Sequence, residues 1–196
     1  KYNALVMVDD CHATGFLGEQ GRGSGDYHNV LNNIDIITST FGKALGGASG
    51  GFICSSKEII EILRQKSRPY LFSNSLAPPL VAACIKVFQI ISESHEYKNQ
   101  LEENTMHFRK EIKNIGFEIK GDNHPIVPIM IYDAKKAVIM SEELLKRNIY
   151  VIAFSFPVVP EDEARIRVQI SASHSKEQID KALRAFKDVG KELNII

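Results

Sequence analysis

Lys43 lies in Thr38-Ser39-Thr40-Phe41-Gly42-Lys43-Ala44-Leu45-Gly46-Gly47-Ala48-Ser49-Gly50-Gly51, a bed of small residues that follows an apolar, β-branched run. Residues without a bulky Cβ let backbone approach backbone, or a flat ligand, closely. A lysine held there is expected to lose water, which brings its neutral amine within reach, as Schiff-base chemistry requires. A second stretch with chemical potential is Asp9-Asp10-Cys11-His12, an acid–x–x–His at the end of an apolar run. The third is Arg165-Ile166-Arg167. Two residues apart on a strand, its guanidinium groups share a face, with Ile166, Val168 and Ile170 packing behind.

Other motifs fail on the lysine stretch. A phosphate-cradling P-loop needs glycine five residues before Gly-Lys and Ser or Thr after it, where this chain has Ile37 and Ala44. Gly47-Ala48-Ser49-Gly50-Gly51 matches the G-x-S-x-G of serine hydrolases, but that elbow must open a helix. Here it leads into Gly51-Phe52-Ile53-Cys54, a strand pattern. Gly21-x-Gly23-x-Gly25 is loop chemistry, since no helical pattern follows it.

The elements that must position these groups follow from periodicity. Residues 4–9 form an apolar run ending in acids, the pattern of a buried parallel strand at its carboxyl end, where open α/β sheets bind ligands. Side chains alternate along a strand, so Asp9 and Asp10 face opposite ways. Strands are expected at 34–40 and 51–55, a short helix after Ser56, and a loop over 67–75. Pro78-Pro79 opens a helix to about Ser92, apolar on most sides and expected to be buried.

A long polar helix then carries Leu101, Thr105, Phe108, Ile112 and Ile115 on one stripe and stops at Gly116. Composition shifts near residue 95, which divides the chain into 1–95 and 96–196. Beyond it the pattern predicts strands at 117–120 and 126–132, a helix at 135–148, strands at 149–154 and 164–172, and a helix at 175–193 capped by Ser175. That order describes a small α+β domain.

At 196 residues and 44% hydrophobic content the chain has ample material for a core. Lys plus Arg equals Asp plus Glu at 24 each, leaving no electrostatic footprint for nucleic acid or an anionic membrane surface. Cys11, Cys54 and Cys84 are far apart, as expected of reduced thiols in the cytoplasm and not of a disulfide frame or zinc site. The chain starts inside a strand pattern with no initiator Met, so a preceding segment is expected. His28, His95, His107 and His124 show no paired ligand spacing and are expected to be solvated. His174 is expected to pack locally, and Met130 and Met140 to lie in the core.

Taken together, an acid–x–x–His at one strand end and Thr-x-x-Lys at another suit pyridoxal phosphate, which needs an amine, an anion for its ring nitrogen and donors for its phosphate. With Val8-Asp9-Asp10-Cys11-His12-Ala13-Thr14-Gly15, Thr38 to Gly47 and Arg165-Ile166-Arg167, the sequence resembles the α-oxoamine synthases. These fold-type I pyridoxal-phosphate enzymes join an amino acid to an acyl-CoA. The resemblance spans essentially the whole chain and implies an α/β fold: the end of a large-domain mixed or parallel sheet (1–95) and a small C-terminal α+β domain (96–196). Within the family, Ser67 to Pro78 and Phe156-Pro157-Val158-Val159-Pro160 are most similar to the branch acting on glycine and acetyl-CoA. That branch gives 2-amino-3-oxobutyrate and CoA, in threonine breakdown. A sister synthase taking alanine, or a noncatalytic fragment, is the alternative.

Residue by residue, the resemblance implies Lys43 as the covalent anchor and α-proton base, Asp9 as partner of the pyridinium, and His12 as partner of the phenolic oxygen. It implies Thr40 as a phosphate ligand, with Ser73 and Asn74 reaching the phosphate of a neighbouring subunit, hence a homodimer with shared sites. Arg167 matches the arginine that grips the substrate carboxylate, while Arg165 is expected in an ordinary salt bridge. The family setting implies a cytoplasmic protein, or a mitochondrial one in a eukaryote. No metal is implied.

Overall fold

The computed structural model describes residues 2–46 and 49–196; Gly47 and Ala48, and with them the start of the G-x-S-x-G match, lie outside the described residues. The chain divides into two units, Lys1–His95 and Glu96–Ile196.

The first unit is built on a three-stranded mixed sheet in the order β1 (Met7–Asp9), β2 (Ile36–Thr40), β3 (Gly51–Ser55). β1 and β2 run parallel with Asp9 opposite Thr38, and β3 runs antiparallel with Gly51 opposite Thr40. The carboxyl ends of β1 and β2 and the start of β3 therefore meet at one edge, where the lysine-bearing turn begins. Short helices α1 (Ser24–Tyr27), α2 (Lys57–Lys66) and α3 (Arg68–Phe72) and the longer α4 (Pro78–Glu93) complete the unit. Phe41 of the turn, Phe52 of β3 and Phe88 of α4 stack with centroids 5.3–6.2 Å apart, which ties the turn to sheet and helix.

Four expectations need correction here. The predicted strand at 4–9 is a ladder only from Met7, because the Asp35 carboxylate takes the Val6 N–H at 2.7 Å in place of a strand partner. Its apolar residues are not buried: Leu5, Val6 and Met7 are exposed, since β1 is an edge strand with no described element over it. Nor is α4 buried, with Val81, Ile85 and Ile90 exposed and Cys84 its one buried residue. Apolar composition forecasts burial only when something is there to pack against. The loop expected over 67–75 contains α3, which Pro69 initiates near its N-terminus.

The second unit has an antiparallel sheet in the order β4 (Ile126–Tyr132), β6 (Ala164–Gln169), β5 (Ile152–Phe154), with helices α5 (Glu96–Ile115), α6 (Ala134–Lys146) and α7 (Lys176–Glu192). Its core joins Phe108 and Ile112 of α5, Val127 and Ile129 of β4, Met140 and Leu144 of α6, Ile166 of β6, and Phe186 and Val189 of α7, each essentially fully buried. Met130 and Met140 are both in it. The helical stripe on α5 holds at Thr105, Phe108 and Ile112, while Leu101 and Ile115 are only partly buried. Gly116, at φ 120°, closes α5 in a Schellman arrangement: its N–H reaches Lys113 O at 3.0 Å and that of Phe117 reaches Ile112 O at 3.2 Å. Ser175 and Gln178 form a capping box at the start of α7.

Residues 117–120 are not a strand but make a single bridge, Ile119 to Ile129. The loop that follows is held by the buried Arg109. Its Nε and Nη2 donate to His124 O at 3.1 and 2.8 Å, and its Nη1 and Nη2 donate to Gly121 O at 2.7 Å and Ile126 O at 3.2 Å. Arg109→Met keeps the stem but leaves several part-buried carbonyls without their donor, so unfolding in urea should show a loss of about 3 kcal/mol. An unchanged midpoint would mean that water replaces the guanidinium without cost.

Two histidines expected to be solvated have partners. His107 Nε2 lies 2.6 Å from Asp180 Oδ1, joining α5 to α7 and holding the Asp180 carboxyl below its usual range. His124 Nδ1 accepts the Ile126 N–H at 3.0 Å. His174 Nδ1 accepts from Ser171 N at 3.2 Å, a local turn contact.

Candidate active site

Strand alternation sorts the polar residues at the carboxyl edge of β1 and β2 into two layers. The inner layer is structural. Asp10 is buried at 2% exposure and accepts Ser24 Oγ at 2.6 Å and Ser24 N at 3.1 Å. Ser39, also buried, donates to Thr14 Oγ1 at 2.8 Å, and Thr14 donates to Asp10 O at 3.0 Å. Gly23, at φ 100°, lies against the Asp10 carboxylate where a Cβ would collide. Of the two adjacent acids, Asp10 thus belongs to the fold and Asp9 to the surface.

The outer layer is Asp9, Thr38 and Thr40. Asp9 is exposed; its Oδ1 accepts Cys11 N at 3.1 Å and its Oδ2 accepts Thr38 Oγ1 at 2.9 Å. The Cys11 thiol and N–H, then the Thr38 hydroxyl, with a smaller contribution from the Lys43 charge, hold the Asp9 carboxyl below its ordinary range. The same contact pushes the Cys11 thiol up, so Cys11 stays protonated and donates.

Lys43 lies in the turn after β2, whose backbone closes through Gly46 N to Lys43 O at 3.0 Å and whose Leu45 is buried at 2% exposure. Phe41 N and Thr40 Oγ1 both reach Gly50 O, at 3.0 and 3.1 Å, and a Cβ on Gly51 would strike the Ser39 carbonyl. The glycines therefore permit a close crossing of turn and strand, as their sequence pattern implied. The expected loss of water at Lys43 is not found: the residue is exposed, because the turn buries Leu45 and Phe41 inward and turns the lysine out.

Thr40 also accepts Gly42 N at 3.1 Å, and so links the strand end to the residue before the lysine. His12 is exposed on the turn after β1, formed where Ala13 N and Thr14 N both reach Asp10 O at 2.9 Å. Ser73 and Asn74 are exposed just past α3, with no hydrogen bond to Asp9, Thr40 or Lys43 among the described residues.

In the second unit Arg165 and Arg167 lie on one face of β6, while Ile166, Val168 and Ile170 are buried behind. Arg165 is committed: its Nη2 lies 2.5 Å from Glu163 Oε2 and its Nε donates to Glu163 O at 2.9 Å. Arg167 places its guanidinium 5.6 Å from the Phe154 ring centroid, and its buried Nε has no hydrogen-bond partner among the described residues.

Sequence reasoning passed over Thr38 and Cys11, the two residues that hold Asp9. The signal for Thr38 was available in strand alternation, which puts it on the face of Thr40 and, once β1 and β2 pair, beside Asp9. The first unit thus gathers a fixed anion, a primary amine and a strand-end hydroxyl at one sheet edge. That set fits a flat, cationic heteroaromatic carrying an electrophilic carbonyl and an anionic tail. Among the described residues no cluster of His, Cys, Asp and Glu could hold a metal, and no helix is long and apolar enough to cross a membrane.

The family model for aminotransferase class I and II matches residues 1–186. The chain is 53% identical over 196 residues to the 2-amino-3-ketobutyrate coenzyme A ligase of Escherichia coli (strain K12), covering 100% of this chain and 49% of that protein. It is 44% identical over 196 residues to the 8-amino-7-oxononanoate synthase of Thermosipho melanesiensis, covering 100% of this chain and 50% of that one. Its fold is similar to that of a serine palmitoyltransferase variant from S. paucimobilis with bound PLP-myriocin aldimine, at TM-score 0.93 and 31% identity, over 99% of this chain and 49% of that one. The chain spans about half the length of the curated relatives it matches.

Proposed function

Since the chain belongs to the aminotransferase class I and II family and has the mixed α/β fold of part of a fold-type I enzyme, we propose that it serves a pyridoxal-phosphate acyltransferase interconverting glycine plus acetyl-CoA and 2-amino-3-oxobutyrate plus CoA. The identity to the Escherichia coli ligase, higher than that to the 8-amino-7-oxononanoate synthase, supports this branch over its sister. The observation that carries the reading is Asp9, whose carboxylate is held in place at the mouth of the sheet by the Cys11 N–H and the Thr38 hydroxyl.

Pyridoxal phosphate, when bound, supplies an electron sink for the carbanion that forms at the substrate Cα. Asp9 provides the negative charge that keeps a ring nitrogen protonated, and its contacts with Cys11 and Thr38 leave a lone pair for that task. Lys43 provides the amine that anchors the group and, when its nitrogen is free, takes and returns the α-proton. His12 would partner the ring's phenolic oxygen, and Thr40 would hold the phosphate beside the lysine turn by turning its O–H away from Gly50 O. Ser73 and Asn74, exposed past α3, are assigned to the phosphate of a second subunit, which makes the functional unit a homodimer. Arg167 holds the substrate carboxylate; a bidentate grip fixes which Cα bond stands ready to break. Threonine degradation is the setting in which this reaction releases glycine.

The test is a product assay on the full-length protein with acetyl-CoA. Glycine should exceed alanine in kcat/KM by at least about tenfold, the discrimination one methylene allows in a fitted pocket. A preference for alanine with a longer acyl thioester would move the protein to the 8-amino-7-oxononanoate branch.

A further inference from the structure

Asp9 is held from both sides. Cys11 supplies its N–H to Oδ1 at 3.1 Å from the next turn of the same strand end, and Thr38 supplies its hydroxyl to Oδ2 at 2.9 Å from the neighbouring strand. The second contact is built by register: β1 and β2 are parallel, Asp9 and Thr38 are direct partners, and their side chains emerge on one face. Thr38 also stands on the strand that ends in Thr40 and the lysine turn. A carboxylate on an exposed strand end otherwise has free rotation about χ1 and χ2. Two donors on opposite oxygens remove that freedom before any ligand arrives.

We propose that Thr38 is a positioning residue: its hydroxyl fixes the Asp9 carboxylate from β2 and so couples the anion's orientation to the strand that carries Lys43. The role rests on the reading of Asp9 as the cofactor's partner, and Thr38 acts through Asp9. Thr38→Val keeps the shape and β-branching and removes only the donor, while Thr38→Ser keeps the donor and removes the methyl.

Two measurements on the full-length protein decide it. In the apoprotein, Asp9 titrated by carboxyl-carbon NMR should shift its midpoint upward in Thr38→Val and return in Thr38→Ser, because a lost hydrogen bond to the charged form favours the neutral one. In the holoprotein, Thr38→Val should lower kcat about tenfold, the worth of one charge-assisted hydrogen bond, with KM for glycine within about twofold and the pH midpoint of the cofactor's absorbance displaced. Thr38→Ser should restore all three. An Asp9 midpoint indifferent to Thr38→Val, or a Thr38→Ser protein as impaired as Thr38→Val, overturns the proposal; the second result would assign the effect to methyl packing. If Thr38→Val does not fold, Thr38→Ala serves as the variant without a donor. A wild-type protein that shows no cofactor absorbance, while its Asp9 midpoint still follows Thr38, overturns the cofactor reading and upholds the clamp.

Discussion

Lys43→Ala should abolish the visible absorbance of the lysine-bound cofactor and lower kcat by at least about 10³-fold, since covalent anchoring and α-proton transfer are lost together. Borohydride treatment should fix the label in the wild type and not in the variant. The neighbours cannot substitute: Gly42 and Ala44 bear no amine, and Thr40 Oγ1 is engaged with Gly50 O and Gly42 N. The fold should be indifferent to the change, because Lys43 is exposed and the turn is secured by buried Leu45 and the Phe41 stack. Urea midpoints of the two proteins should therefore agree to about 0.5 kcal/mol. Lys43→Arg separates charge from nucleophilicity. It keeps a cation beside Asp9 but offers no neutral amine near neutral pH, so it should be as colourless as the alanine variant. An absorbance band that survives Lys43→Ala would remove Lys43 from its role. A wild type without the band would favour a noncatalytic chain.

Much of this site was legible because local rules sufficed. Alternation separated Asp9 from Asp10, and the small residues after β2 announced a close crossing that Gly51 and the Ser39 carbonyl now embody. The capping Ser175 and the stop at Gly116 were equally local. What was not legible depended on partners distant in sequence. Burial of residues 4–7 and of α4 was inferred from apolar composition alone, and composition does not say what covers a surface. Thr38 became meaningful only when parallel pairing put it opposite Asp9, 29 positions away in the chain. The strand expected at 117–120 shrinks to one bridge, and the loop after it is tied down by Arg109, from α5, through the carbonyls of Gly121 and His124. A guanidinium in the middle of a helical stripe gives no sequence signal of that kind. Solvation of Lys43 is the same lesson in reverse: small neighbours permit enclosure but do not supply it.

The second large effect is expected at Arg167, and the contrast with Arg165 makes it informative. Both arginines share one face of β6, so sequence spacing alone treats them alike. Their partners do not. Arg165 is tied to Glu163, which is also 2.8 Å from Lys120, a network that needs no ligand. Arg167 rests against the Phe154 ring with its Nε unpaired among the described residues, an unfinished arrangement for a fork of five donors. A carboxylate would complete it. Arg167→Leu should thus cut kcat/KM for glycine by about 10²–10³-fold, the 2–5 kcal/mol expected when one partner of a desolvated charge pair is removed. Arg167→Lys should recover only part, because an ammonium cannot reproduce the planar two-point grip that also orients the substrate. Arg165→Leu should leave kcat/KM within about threefold and remove only a part-buried contact with its near neighbour Glu163, a change of about 1 kcal/mol in stability. Reversal of that order, with Arg165 the sensitive residue, would place the substrate carboxylate elsewhere on β6 and make the Arg167–Phe154 contact a packing device.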